Sequence, residues 1–400
     1  MRRAMAVLAA VAVLAFSLLA GDASSRPLGG TVTASFAPAL NGPGWGTATE
    51  QVTLTSSTPG TIDYSAAGAQ TIAATTGTSP VTFALSAEGT TTITVTAPSS
   101  AVFTVKIDTT PPSIFVQRTT ANAFGWNNTD VTLAWGCSDT GSGIADCTPK
   151  LTVTAEGANQ QVTGTAYDVA GNRTQRTSSV SIDKTAPTIS GAALPAPNAN
   201  GWNNTPVIVT FTCADALSGI ASCTAPVTLS GEGAVQSATG TATDKADNTA
   251  TTTVRSISID RTPPLVTFAR HAGQITVDGS VTLDASATDA LSGVASTAFA
   301  HRVVRAWMLQ PGLNRLNSSA TDKAGNTTTA TTAVTVRVTI ASLEKLTRML
   351  VSRKPVADAL VALLEQHRLA SYVSAVAAQK GKSLGADQAA ALVRFANALK

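Results

Sequence analysis

The sequence predicts a mainly β protein: tandem β-sandwich modules followed by a small α-helical bundle at the C-terminus. Three observations carry that expectation. Landmark residues return at a constant offset of 76 positions, apolar residues alternate with period two inside each repeat, and after Val338 the apolar spacing turns helical.

The repeat sets the domain plan. Gly125-Trp126-Asn127-Asn128 returns as Gly201-Trp202-Asn203-Asn204, Cys137 as Cys213, and Cys147 as Cys223. Tyr167-Asp168-Val169-Ala170-Gly171-Asn172 returns as Thr243-Asp244-Lys245-Ala246-Asp247-Asn248, and a further copy ends in Thr321-Asp322-Lys323-Ala324-Gly325-Asn326. Three copies close on an Asp shortly before proline: KIDTTPP (106–112), SIDKTAP (181–187) and SIDRTPP (258–264). Proline biases its predecessor toward extended geometry, so these runs are short, stiff linkers. The modules are therefore module 1 (31–108), module 2 (109–184), module 3 (185–262) and module 4 (263–338). Module 1 is divergent; it keeps Gly44-Trp45 and Ala87-Glu88-Gly89 but has TAPSSAV where the later copies have the Asp-containing turn.

Within a module, Val207, Val209, Phe211 and Cys213 share one parity, as do Val131, Leu133, Trp135 and Cys137, and Val281, Leu283, Ala285 and Ala287. Such alternation marks a strand with one face in a core. Further short strands are expected at Leu151–Thr154, Val162–Tyr167 and Ser179–Ile182 of module 2, between Gly, Asn and Pro turns, which makes a small sandwich.

Composition agrees. Charged residues are 13% and aromatics 4%, against roughly 25% charged in ordinary soluble chains. Thr and Val favour a pleated, half-buried backbone. A net charge of +3 without a basic stripe interleaved with aromatics argues against nucleic acid. At the N-terminus, Arg2-Arg3 precedes an apolar run from Ala4 to Ala20, and Gly21-Asp22-Ala23 offers small residues for a cut after Ala23. Residues 1–23 read as a secretory signal peptide, the rival being a retained membrane anchor. With no second long apolar segment, the mature chain is expected outside the cell or on its wall, without a stable membrane span.

An oxidising compartment favours disulfides. Repeat symmetry pairs Cys137 with Cys147 and Cys213 with Cys223, each closing a loop of 11 residues. Zinc would want closely spaced ligand pairs, and His271, His301 and His367 lie outside the cysteine-bearing modules. A catalytic thiol would need a neighbouring base. Module 4 has Ala287 and Thr297 in place of both partners at once, as a covalent pair requires.

Asp139, Asp168, Asp215, Asp244, Asp289 and Asp322 lie in Gly- or Asn-containing turns. Their expected role is to hold those turns through backbone hydrogen bonds, with calcium as the alternative; no metal and no cofactor is assigned. Trp126 and Trp202, with Trp45, are expected to cap their modules' cores, the alternative being stacking on sugar rings; Trp307 is read as core. The sequence contains no G-x-S-x-G elbow, H-E-x-x-H, phosphate loop or dinucleotide fingerprint, so no catalytic residues are assigned and no enzyme is expected.

The tail is of another kind. Leu343, Leu346 and Leu350 recur at helical spacing, Pro355 comes next as a break or first-turn residue, and Leu360, Leu363 and Leu364 resume the pattern, extended by Tyr372, Val373 and Val376. Gly381-Lys382-Ser383 interrupts, and Leu392, Phe395 and Leu399 line a last helix. Residues 339–400 thus form a bundle near the lower size limit for independent stability. They carry nine basic and four acidic residues, a net +5, which leaves −2 for the rest of a chain whose total is +3. Such an end-piece suits an anionic wall polymer, or is simply a solvated helix face.

GWNNTPVIVTFTCADALSGIASCTAPVTLSGEG followed by TATDKADN resembles the immunoglobulin-like repeats of bacterial secreted and surface proteins. YVSAVAAQKGKSLGADQAAALVRFANAL (372–399) looks like the FIMAH domain, a helical module at the C-terminal end of extracellular bacterial proteins. The resemblance implies Ig-like sandwiches and a role in surface display, adhesion or spacing. The expected partners are a cell-envelope polymer, a glycan or a surface protein. The alternatives are a carbohydrate-binding protein using Trp126 and Trp202, and an accessory component of an extracellular hydrolase system.

Overall fold

A computed structural model describes residues 30–269, 273–298 and 300–400; the expected signal peptide at 1–23 and His271 lie outside the described residues. The chain packs as two compact units. One runs up to Pro187 and takes in Asp215–Ala221 and Thr243–Thr249; the other comprises Thr188–Ala214, Ser222–Ala242 and Ala250–Lys400.

In the first unit, module 1 pairs Val32–Ala37, Glu50–Ser56 and Val81–Leu85 in one sheet. A second sheet orders Trp45–Gly46, Ala101–Ile107, Gly89–Ala97, Thr61–Gly68 and Ile72–Thr78. Twelve buried apolar residues fill the space between, and Tyr64 stacks on Phe83 at 4.9 Å. Module 2 is slighter. Leu151–Val153, Val131–Ser138 and Ser113–Arg118 form one sheet, and Ile144–Cys147, Gly157–Asp168 and Arg173–Ile182 the other. Its buried core is Val131, Leu133, Val180 and Ile182.

The last two strands run longer than the expected 162–167 and 179–182 because each expected segment pairs with a polar stretch of the other strand, Thr163 with Thr177 and Val180 with Gln160. A ladder of Thr and Gln holds a hairpin by backbone bonds and hydroxyl pairs without an apolar alternation to betray it. Trp135 lies over Gly164, where a Cβ would come within 2.4 Å of the indole. That close approach is why this strand position is glycine.

Module 3 repeats the plan with Thr188–Leu194, Val207–Ala214 and Val227–Leu229 in one sheet, and Ile220–Cys223, Gly233–Asp244 and Thr249–Ile259 in the other. Its buried apolar set is Val207, Val209, Ala238, Ile257 and Ile259, and Phe211 lies over Gly240 as Trp135 does over Gly164. Module 4 has Leu265–Phe268, Ser280–Thr288 and His301–Arg305 in one sheet, and Gln274–Thr276, Thr327–Arg337, Gly312–Asp322 and Val294–Thr297 in the other.

Four helices complete the chain, α1 (Ile340–Leu350), α2 (Lys354–Glu365), α3 (Leu369–Gln379) and α4 (Ala386–Asn397). Thr339 and Ser342 cap α1 reciprocally, and Pro355 occupies the first turn of α2, where its missing N–H costs nothing. The apolar spacing from Leu364 to Tyr372 reads as one helix, yet the chain turns at 366–368 with His367 in the left-handed region, φ 54°. The turn brings Tyr372 to Thr347, whose hydroxyls lie 2.7 Å apart, and burial pushes the phenol's ionisation well upward.

The bundle is not self-contained. Its buried side chains form one cluster with Val277, Ala306 and Val336 of module 4, against which Ile275, Trp307 and Leu309 also pack. Arg394 reaches from α4 to donate to the carbonyls of Trp307 and Leu309, both at 2.8 Å. A tail near the lower size limit for independent stability thus shares its core with its neighbour. Among the described residues no helix is long and apolar enough to cross a membrane.

Candidate functional site: carboxylate joints at the linkers

Each linker Asp is buried, and the same joint is built around it three times. The N–H of Asp108 donates to Gly46 O, that of Asp183 to Asn127 O and that of Asp260 to Asn203 O, tying the linker to its own module. A glutamate of the same module grips the linker residues just beyond that Asp. Glu88 accepts from Thr109 and Thr110, Glu156 from Lys184 N and Thr185 Oγ1, and Glu232 from Arg261 N and Thr262 Oγ1. The threonine bonds hold the Glu88 carboxyl below the usual carboxylate range.

The linker carboxylate then takes hold of the next module. Asp108 Oδ2 accepts from Ser142 N at 2.6 Å, and Asp183 and Asp260 accept from Ser218 N and Ser292 N at 3.0 Å. These serines belong to the Ser-Gly turn of the cysteine-bracketed loop and its counterpart in module 4. Asp139, Asp215 and Asp289 hold that turn by accepting from Gly143 N, Gly219 N and Gly293 N at 2.6–2.7 Å. The three glycines have φ between 78° and 87°, a conformation a side chain would strain.

The second turn closes the joint. Asp168, Asp244 and Asp322 each accept from the backbone N–H of Asn172, Asn248 and Asn326. The asparagine Nδ2 groups bridge back to the linker carbonyls of Asp108, Asp183 and Asp260 at 2.8–2.9 Å. From the preceding module, Asn41 donates to Val169 O and Ala170 O, Asn122 to Lys245 O and Asp247 Oδ2, and Asn198 to Lys323 O.

The expected turn-holding role of the aspartates is what the bonds show, and the structure adds a convergence. Asp108, Asp139 and Asp168 bring an oxygen each within 4.8 Å of one another, as do Asp183, Asp215 and Asp244, and Asp260, Asp289 and Asp322. In every triad the linker and second-turn aspartates are buried and the loop aspartate half-buried. Three anionic oxygens so close repel, and they are also a donor set that a hard divalent cation accepts, with carbonyls or water completing six to eight ligands. Ion pairs form elsewhere, at Lys184–Asp130 and Arg348–Asp358, and His301 Nδ1 lies in hydrogen-bond contact with Asp284.

Cys137 lies against Cys147 and Cys213 against Cys223 at bonding distance, with Cα atoms 6.0 Å apart in each pair. Both bridges enclose a loop that carries a triad aspartate and the serine that grips the linker. Trp126 and Trp202 are half-buried and belong to neither core cluster, so core capping is not their place. They close the turns opened by Asn122 and Asn198, whose Oδ1 accepts the tryptophan backbone N–H and whose Nδ2 reaches the next module.

The sequence singles out six of the nine triad aspartates as turn residues and presents the other three as linker residues. Their recurrence in KIDTTPP, SIDKTAP and SIDRTPP was the available signal, together with the Asn that closes the second turn in each of modules 2–4.

No protein-family model and no curated protein matches the chain. Among solved structures it is similar to the fibronectin(III)-like modules of Clostridium thermocellum CbhA, at 10% identity over 38% of this chain and 95% of that one, TM-score 0.22. It is also similar to extracellular cadherin domains 3–6 of protocadherin gamma B2, at 13% identity over 70% and 93%, TM-score 0.24. A third is a 1.5-MDa bacterial ice-binding adhesin, in a structure concerned with its host cell surface retention, at 13% identity over 78% and 100%, TM-score 0.22. At these scores the sandwich assignment rests on this chain's own sheets.

Proposed function

We propose that the protein is a secreted, non-enzymatic array of Ig-like modules that serves adhesion, interaction or spacing at the bacterial cell envelope. The observation that supports it is the joint, repeated three times with the same Asp, Asn, Ser and Glu groups. Residues that recur with the repeat do the same work in every copy, whereas an active site is built once. What a repeated linker clamp supplies is a defined step from one module to the next, which is what a spacer or display stalk needs. The bacterial Ig-like repeat and FIMAH resemblances agree with this reading, and the disulfides suit an oxidising compartment.

The test is fractionation of native cells into medium, wall, membrane and cytoplasm, followed by pull-down from the fraction that holds the protein. Recovery in medium or wall with a surface glycan or protein supports the reading. Recovery in the cytoplasm, or a turnover activity abolished by Asp168→Asn with the fold intact, sinks it.

A further inference from the structure

We infer that the helical bundle carries a docking surface for an acidic polysaccharide, centred where the ends of α1 and α3 meet the start of α2. The turn after α3 is tied to the α1–α2 connection, because the N–H and hydroxyl of Ser352 both donate to Ser383 O, at 3.0 and 3.1 Å. That link holds the turn at 380–383 against the connection at 351–354, and the two segments carry Lys380, Lys382, Arg353 and Lys354, all four of them exposed; Arg348 lies one turn back on α1. Three neighbouring segments thus supply five cations, of which Arg348 is paired with Asp358, in a domain whose excess over the whole of 339–400 is +5. Of the nearby acids, Asp358 is paired with Arg348, and Asp387 opens α4. The N-terminus of α2 adds its own partial positive charge there.

The patch also has a hollow. An open hollow of about 300 Å³ is lined by Arg348, Val351, Ser352, Lys354, Ala357 and Asp358. Arg348 is held there by Asp358 and the Ser352 hydroxyl by Ser383 O, which leaves the Lys354 ammonium on the rim for a sugar carboxylate or an anionic ring substituent, and the other exposed cations suit its neighbours along a chain.

Two other polyanionic surfaces fit less well. No aromatic residue of 340–400 is among the exposed large hydrophobics, so bases would find nothing to stack on. Met349 is the one exposed large apolar side chain there, too little to seat a helix in a bilayer. The inference deepens the envelope reading and rests on it for where such a polymer is met; binding of purified polymer tests the patch wherever the protein resides.

The experiment titrates the full chain with polygalacturonate at low ionic strength, with neutral dextran, poly(U) and phosphatidylglycerol vesicles in parallel. The variant Arg353→Glu/Lys354→Glu/Lys382→Glu is compared with Lys150→Glu/Arg176→Glu/Arg255→Glu, an equal change of net charge placed on the sandwich modules. We expect polygalacturonate binding that weakens with salt and falls about tenfold in the first variant and less than about threefold in the second. Equal losses would reduce the patch to a field of net charge and overturn the inference. Equal binding of dextran, or patch-dependent binding of poly(U) or vesicles tighter than that of polygalacturonate, would overturn it too. If the Glu variant melts early, the same comparison is made with Gln at all six positions.

Discussion

Modules 2 and 3 and module 4 descend from one pattern and solve the same shortage in different ways. Modules 2 and 3 bury four and five apolar residues in their core clusters, and each has a disulfide. Module 4 has no cysteine but offers Val277, Ala306 and Val336 to a cluster of eighteen buried residues, most of them helical. Module 1, with twelve of its own, has neither device. The staple appears where the core is thin and has no neighbour to share. Cross-linking an 11-residue loop is worth about 3 kcal/mol, comparable to burying one or two large apolar side chains.

The comparison can be broken most directly by removing 339–400. Module 4 should lose about 4 kcal/mol, the rough worth of three small apolar side chains returned to water, and become susceptible to limited proteolysis. An unchanged calorimetric transition for module 4 would show that it stands alone.

Next in size are the bridges. Cys137→Ser/Cys147→Ser and Cys213→Ser/Cys223→Ser should each destabilise their own module by about 3 kcal/mol in denaturant titration, leaving module 1 unaffected. Ala287→Cys/Thr297→Cys should form a bridge in module 4, detectable by mass mapping, and gain less than about 3 kcal/mol because the bundle already holds that module.

Gly164→Ala sharpens the point about thin cores. A Cβ within 2.4 Å of the Trp135 ring forces the indole aside, at about 1–3 kcal/mol in urea titration. Asn172→Ala should cost about 1–2 kcal/mol by removing the bonds to Asp108 O and Asp168 Oδ2, and should raise hydrogen exchange at Ser142 while the core of module 2 stays protected.

The smallest effect is on pH dependence. Glu50 is buried in module 1 over Gly46, where modules 2 and 3 have Asn127 and Asn203, and no described residue hydrogen-bonds its carboxylate oxygens. Desolvation raises its pKa. A folded-state pKa above the unfolded value means that its contribution is fully present below the unfolded value, near 4.3, and is lost as pH rises through the folded one. Module 1 should therefore melt lower as pH climbs out of that acid range, and Glu50→Gln should flatten the dependence in pH-resolved thermal scans.

Legibility in the sequence tracked locality. The period-two faces, the paired cysteines, the Thr339 start of α1 and the break at Pro355 are set by residues a few positions apart, so alternation, spacing and capping chemistry expose them. The break at 366–368 has no proline or glycine and escaped, since packing of Tyr372 on Thr347 outweighs an unbroken apolar spacing there. The tryptophans escaped for a similar reason: an aromatic beside a repeat landmark reads as core until the backbone shows it in a turn.

By itself the sequence determined the β character of the repeats, the pairing of sulfurs and the helical end-piece, because each arises from short-range periodicity or close repetition. Only the tertiary structure decided that aspartates some 30 residues apart meet at each linker, and that the bundle completes its core on module 4. It also decided that the turn after α3 is tied to the connection before α2. These meetings depend on how strands and helices pack, and side chains distant in sequence leave no periodic trace of the contact they will make.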